Sequence, residues 1–364
     1  MKLLRHAARL DLRRTISLTL LMSLAFLAPP AKSAPALSDD AFARAANEAV
    51  DRIAREDGFS GVILVARGDQ VLLRRAAGLA DHQRNIPNTP ETRFSLASVT
   101  KQFTAAAIML LVEDGKISLA DPISKYFVKS PPEWKDVTIK HLLTHSSGIG
   151  DKNAAHPALM FAPGTDYEYS NTGYLLLTDA IEKASGQRYG EFLRTRIFAK
   201  LGMDDTSDGA QSRDTVRGYY RSADGRWQGG EPLGLGPGHG AGGVFSTLDD
   251  MLAWSRSLDT DTVLSASSRA AIFADYGHGY GFGWRFSPKY GQSLIWHTGA
   301  SLGFAAIFDR FPVEQLTVIA MTNNSAPTGS TATLVIEGKE TTFQANASRK
   351  LVEEVERLYF GRAP

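Results

Sequence analysis

Cysteine is absent from all 364 residues. Thiol nucleophiles, cysteine metal sites, disulfides and the lipid anchor of a bacterial lipoprotein are therefore excluded together. His141 and His145 stand four apart but lack the glutamate of H-E-x-x-H. With His156 they read as structural or cleft-rim histidines rather than as metal ligands. Gly238–Gly243 fits G-x-G-x-x-G, yet no convincing strand precedes it, so nucleotide binding is set aside. No repeat or low-complexity linker interrupts residues 34–364. No metal and no organic cofactor is implied.

What is present is an ordinary globular composition, 43% hydrophobic and 22% charged, enough for one large α/β domain or two small ones. The N-terminus differs from the rest. Lys2, Arg5, Arg9, Arg13 and Arg14 precede the apolar run Ile16–Ala28, and PPAKSA follows. A basic head, a short apolar stretch and a small-residue exit match a secretory signal, expected to be cut after Ser33. The run falls short of the roughly 20 residues that a membrane span needs. Its removal takes six of the 40 basic and one of the 39 acidic residues, leaving residues 34–364 with a net charge of −4. A mildly acidic body without a basic stripe argues against nucleic acid as a partner. The expected location is periplasmic or secreted, with no stable membrane span after cleavage.

Periodicity predicts a helix over Asp39–Arg55, capped by Ser38, then a hairpin of Gly61–Ala66 and Val71–Ala77. Helices are expected over Ser98–Asp114, Thr138–Thr144, Asn171–Ala184 (closed by Gly186) and Gly190–Lys200. Strand character returns at Ser301–Phe311 and Leu316–Thr322, and an amphipathic helix covers Ala345–Tyr359. Residues 325–343 fit either a hairpin or an exposed loop. This order suggests an α/β (α+β) fold. Its antiparallel sheet is completed from both chain ends, is flanked by N- and C-terminal helices, and carries an inserted helical subdomain at about 98–285.

Three short elements carry chemistry. In Ser98-Val99-Thr100-Lys101 the hydroxyl and the amine share one helical face, about one turn apart. The apolar helix body (Phe103, Ala106, Ala107, Met109, Leu110) would lower the lysine pKa, because desolvation disfavours the charged form. A neutral amine beside a hydroxyl can activate serine without histidine. Alone, S-x-x-K is a weak pattern, equally compatible with a helix cap and a solvated lysine. Tyr169-Ser170-Asn171 precedes a helix: Tyr169 could act as a general base and Asn171 could bind a substrate amide. A half-buried loop aromatic and a helix cap fit as well. His297-Thr298-Gly299 enters a late strand, where Gly299 would let a substrate backbone approach and His297 could bind a carboxylate or polarise the tyrosine. An ordinary solvated histidine is the plainer alternative.

Together, and in this order, the three elements resemble the serine penicillin-recognising family: class C β-lactamases, low-mass D-Ala-D-Ala peptidases, D-aminopeptidases and related esterases. HLLTHSSGI, PGTDYEYSNTGYLLL, GAGGVFSTLDDMLAW, GYGFGWRF and HTGASLGF read like blocks of that family across residues 60–325. The resemblance implies a β-lactamase/transpeptidase-like fold. It casts Ser98 as the acylated nucleophile, Lys101 as its proton partner and Tyr169 as base. Asn171, His297, Thr298 and Gly299 would bind substrate, and the N–H groups of Ser98 and Ala300 would form the oxyanion hole. His297 stands where class C β-lactamases usually carry lysine, which favours a peptidase or esterase and ranks β-lactam hydrolysis low. The expected substrates are small peptides, cell-wall stem peptides among them, or small esters. A non-catalytic sensor of wall peptides is the rival reading.

Overall fold

The computed structural model describes residues 37–362 apart from 128–129, 152–157, 211–215, 222–226, 231–237, 302, 325–330, 337–338 and 345–346. The expected signal segment 1–33 and His156 lie outside the described residues.

Helix α1 (Asp39–Asp57) starts where the Ser38 hydroxyl accepts the Ala41 N–H, and it stops at Gly58, whose φ of 73° suits a residue without Cβ. Strands β1 (Gly61–Arg67) and β2 (Gln70–Ala77) follow as a hairpin. Four late strands complete the sheet: β3 (Arg285–Lys289), β4 (Gln292–Ser301), β5 (Phe304–Phe311) and β6 (Leu316–Thr322). The order is β3-β4-β5-β6-β1-β2, so the two chain ends meet at the antiparallel β6–β1 pair.

Side-chain alternation divides the core. Ile63, Val65, Ile307, Val318 and Ala320 pack against α1 and the C-terminal helix α4 (Ala347–Tyr359). Val62, Leu64, Ala306, Phe308, Ile319 and Met321 face the helical insertion. That insertion is built on α2 (Lys101–Glu113), buried along almost its whole length, and on α3 (Asn171–Ser185), which packs beside it.

Three details differ from the sequence reading. The single strand expected over Ser301–Phe311 is two: β4 runs through Ser301, which pairs with Phe304 across a turn containing Gly303 at φ 80°. The helix expected over Gly190–Lys200 is α-helical at Tyr189–Leu193 and widens to a π turn over Arg194–Phe198. Ser98 does not open α2 but sits in a 3₁₀ turn, Ala97–Thr100, that leads into it. Residues 331–336 and 339–344 form the hairpin that sequence left open against a loop. Among the described residues, no helix is long and apolar enough to cross a membrane.

Candidate active site

The turn that carries Ser98 is tied at both ends to Val244. Leu96 N–H donates to the Val244 carbonyl (2.8 Å), and Val244 N–H donates to the Thr100 hydroxyl (3.0 Å). Ala97, directly before Ser98, has φ 45°, a left-handed conformation that costs a non-glycine residue energy and persists only where the surroundings enforce it. Against this turn lies Gly299. A Cβ there would sit 2.1 Å from the Leu96 carbonyl oxygen and 2.9 Å from the Ser98 nitrogen. The missing side chain thus lets β4 close on the backbone of Leu96–Ser98, where the sequence reading had expected a substrate backbone. It also makes Ala300 the next residue along from the Ser98 N–H.

Lys101 is fully buried. Its Nζ lies 3.3 Å from Ser98 Oγ and 2.8 Å from both Asn171 Oδ1 and the Ala241 carbonyl oxygen. A neutral amine satisfies the same three contacts by donating to Asn171 and Ala241 and accepting the Ser98 hydroxyl proton. Burial, with the Arg285 cation adding to it and Asp151 opposing, brings the amine down from 10.5 to about 7. Tyr169 completes the cluster: Nζ lies 4.8 Å from the centre of its ring, and its phenol interacts with the Ser98 hydroxyl. Burial pushes that phenol well above its ordinary range, against the opposing effects of Ser98 and Arg285. The hydroxyl and the amine, one turn apart, converge with the phenol of a second, distant stretch.

His297 departs from expectation. It is buried, its Nδ1 lies 2.7 Å from the Thr298 carbonyl oxygen, and its Nε2 lies 3.1 Å from the Tyr280 hydroxyl. The carbonyl can only accept, so Nδ1 carries the proton and Nε2 accepts from Tyr280. Burial and the nearby Lys101 lower its pKa to about 3. It is a neutral link under the cleft and offers no pH-dependent charge to a carboxylate.

Spacing alone missed four neighbours. The Arg285 guanidinium stands 5.5 Å from the Tyr169 ring centre and 5.4 Å from that of Tyr280, and no carboxylate pairs with it among the described residues. Tyr280 holds His297 through its hydroxyl. His145 lies buried among Tyr167, Tyr169, Tyr174 and Tyr280, not at a cleft rim. Asp151 accepts from the backbone and side chain of Asn171. His141 is structural, taking the Thr138 N–H on its side chain within a capping box. The glycine block set aside as a nucleotide loop supports α2 from behind: the Gly240 and Ala241 carbonyls accept from Thr104 and Lys101.

Fold and site together define a serine hydrolase of the penicillin-recognising type. A family model described as Beta-lactamase matches residues 44–339, and the chain belongs to that family. It is 30% identical over 315 residues to Penicillin-binding protein 4* of Bacillus subtilis (strain 168), covering 74% of this chain and 69% of that protein. It is 29% identical over 324 residues to the D-aminopeptidase of Gluconobacter oxydans (strain 621H), covering 78% of this chain and only 60% of that enzyme's length. Among solved structures, D-amino acid amidase from Ochrobactrum anthropi SV3 superposes with a TM-score of 0.71 at 25% identity, covering 86% of this chain and 98% of the other.

Proposed function

We propose that this chain is an exported peptidase that forms an acyl-enzyme on Ser98 and releases the terminal residue of small D-amino-acid peptides. The observation that carries the reading is the contact of Ser98 Oγ with a buried Lys101 amine brought to about 7, under the Tyr169 phenol. The amine, rather than the phenol, is then the group available as a free base near neutrality, which shifts the role first given to Tyr169.

In the first step Ser98 Oγ attacks the substrate carbonyl carbon while its proton passes to Lys101, directly or through the Tyr169 hydroxyl. The N–H groups of Ser98 and Ala300 hold the resulting oxyanion, and each such donor is worth about 3–4 kcal/mol in comparable sites. The C–N bond breaks as Tyr169 hands the proton to the departing amine and is reprotonated from Lys101. Water then attacks the ester, the same pair accepts its proton, and Ser98 Oγ leaves with a proton restored. Asn171 Nδ2, Thr298 and the β4 backbone line the groove that takes the substrate amide.

Arg285 favours a carboxypeptidase direction, because a half-buried guanidinium with no carboxylate partner among the described residues suits a substrate's terminal carboxylate. The names of the relatives favour the opposite polarity, an aminopeptidase acting on D-residues. Release of D-Ala from an N-acylated D-Ala-D-Ala peptide, set against hydrolysis of D-alanine amide, separates the two. Turnover of the first only supports the carboxypeptidase, and of the second only the aminopeptidase. Turnover of nitrophenyl esters alone would sink both and leave an esterase. Export is tested by N-terminal sequencing of the secreted protein, with Ala34 expected first.

A further inference from the structure

The hydrogen bonds that fix the Tyr169–Asn171 triplet end on two residues of one short stretch. Glu168 N–H donates to the His145 carbonyl oxygen (2.9 Å) and Ser170 N–H to His145 Nδ1 (3.1 Å). Asn171 N–H donates to Asp151 Oδ2 (3.0 Å) and Thr172 N–H to Asp151 Oδ1 (2.8 Å). We propose that His145 and Asp151 are positioning residues for acyl transfer: His145 holds the Tyr169 phenol over Ser98, and Asp151 fixes which end of the Asn171 amide meets Lys101. The inference rests on the serine-hydrolase reading of this site.

The Asn171 amide has two ends, an acceptor and a donor. Asp151 Oδ2 takes Nδ2 at 2.8 Å, so the other end, Oδ1, is presented to Lys101 Nζ at 2.8 Å. Without the carboxylate the amide is free to turn. Its NH₂ would then face an amine that already donates to Ala241, and the amine would lose an aligned acceptor. The four bonds from Ser170, Asn171 and Thr172 also occupy both oxygens of Asp151, which leaves it an orienting group rather than a binder of a substrate's ammonium.

His145 could be taken for core packing, but its chemistry argues otherwise. Its ring lies 4.3 Å from that of Tyr169, centre to centre, directly beneath the phenol-bearing side chain. Accepting the Ser170 N–H at Nδ1 places the ring proton on Nε2, which is buried with no acceptor among the described residues. An orphaned buried N–H costs stability, and an apolar ring would fill the same space without it. The backbone adds a second cost, φ 57° at a non-glycine residue. Two unfavourable features in one residue bracket the loop that carries the phenol.

The test uses the full mature chain and single-turnover acylation by a fluorophosphonate probe, read against pH. Lys101, whose titration sets the profile, is faced by Asp151, Arg285, Tyr169, Tyr174 and the neutral histidines 145, 239 and 297. His145→Phe keeps the volume but not the acceptor, and acylation should fall about 100-fold, the scale of a displaced catalytic group. His145→Asn offers an acceptor near the Nδ1 position and tolerates a left-handed backbone, so it should recover most of the rate. Asp151→Asn should slow acylation and move its pH midpoint to lower pH, because the carboxylate that favours the ammonium is gone. A purely structural role would lower the melting temperature and leave the midpoint in place. Wild-type acylation in His145→Phe, no rescue by Asn, or an unmoved midpoint in Asp151→Asn each overturns the proposal. Should His145→Phe not fold, His145→Gln, which also misplaces the acceptor, carries the same comparison. If the wild type itself takes no label on Ser98, the underlying reading fails first and visibly, and the proposal falls with it.

Discussion

Replacing Arg285 by Gln isolates the electrostatics of the buried amine. Lys101 is brought from 10.5 to about 7 chiefly by burial, and Arg285 contributes as a like charge. At 1.36 kcal/mol per pH unit, the ammonium is disfavoured by about 5 kcal/mol relative to water. With a midpoint near 7, roughly a tenth of the amine is neutral at pH 6 and nine-tenths at pH 8. Acylation should therefore rise about tenfold across that interval and then level off. The Arg285→Gln variant loses a cation that opposes protonation, so the lysine pKa rises and the profile moves to higher pH. A unit charge at this range, partly screened by the open side of the cleft, is worth about 1 kcal/mol, close to one pH unit. An uncharged nitrophenyl ester is the right substrate, since it has no carboxylate for Arg285 to bind, and the stopped-flow burst reports acylation alone. A wild-type profile flat between pH 6 and 8, or an acid shift in the variant, would refute this account of Lys101.

Three further outcomes follow from the same contacts. Gly299→Ala places a methyl 2.1 Å from the Leu96 carbonyl oxygen; overpacking of this kind costs about 1–3 kcal/mol, so a lower melting temperature and loss of acylation are expected together. Tyr169→Phe should leave the melting temperature near that of wild type and reduce acylation about 100-fold or more, as removal of a proton-transfer group does; unchanged rates would remove Tyr169 from the proton path. On the far face of the sheet, Glu356 is fully buried with Lys289 on one side and Asp309 on the other, and burial pushes its carboxyl up to about 8. The folded state then holds a proton that the unfolded chain gives up near 4.5, so stability is fullest below that pH and is lost as pH rises through 8. Urea midpoints should fall between pH 6 and 9, and Glu356→Gln should flatten the slope; an equal slope in the variant would contradict the assignment.

The parts that were legible in sequence are those in which spacing stands in for geometry. Ser98 and Lys101 are one turn apart, so their contact is local, and Ser38 and Gly58 mark the ends of α1 by their own backbone chemistry. Convergence with Tyr169 and Asn171 was readable only because three motifs kept their order. What stayed hidden depends on contacts between residues with no fixed separation. Arg285 reaches Tyr169 from β3, and Asp151 and His145 act through the backbone of a loop about 20 residues away. His297, expected to bind a carboxylate, is instead a neutral buried link, because burial, which sequence does not give, decides its charge. The merged strand at Ser301–Phe311 failed for a related reason: the break is one short turn around Gly303, inside a continuous run of strand-forming residues.

The central claim is a covalent bond to one oxygen. Intact-mass measurement after quenching the reaction with a slowly hydrolysed D-Ala thioester, followed by peptide mapping, should find the acyl group on Ser98 of the wild type and none on Ser98→Ala. An acyl group on another residue, or undiminished turnover by Ser98→Ala, would contradict it.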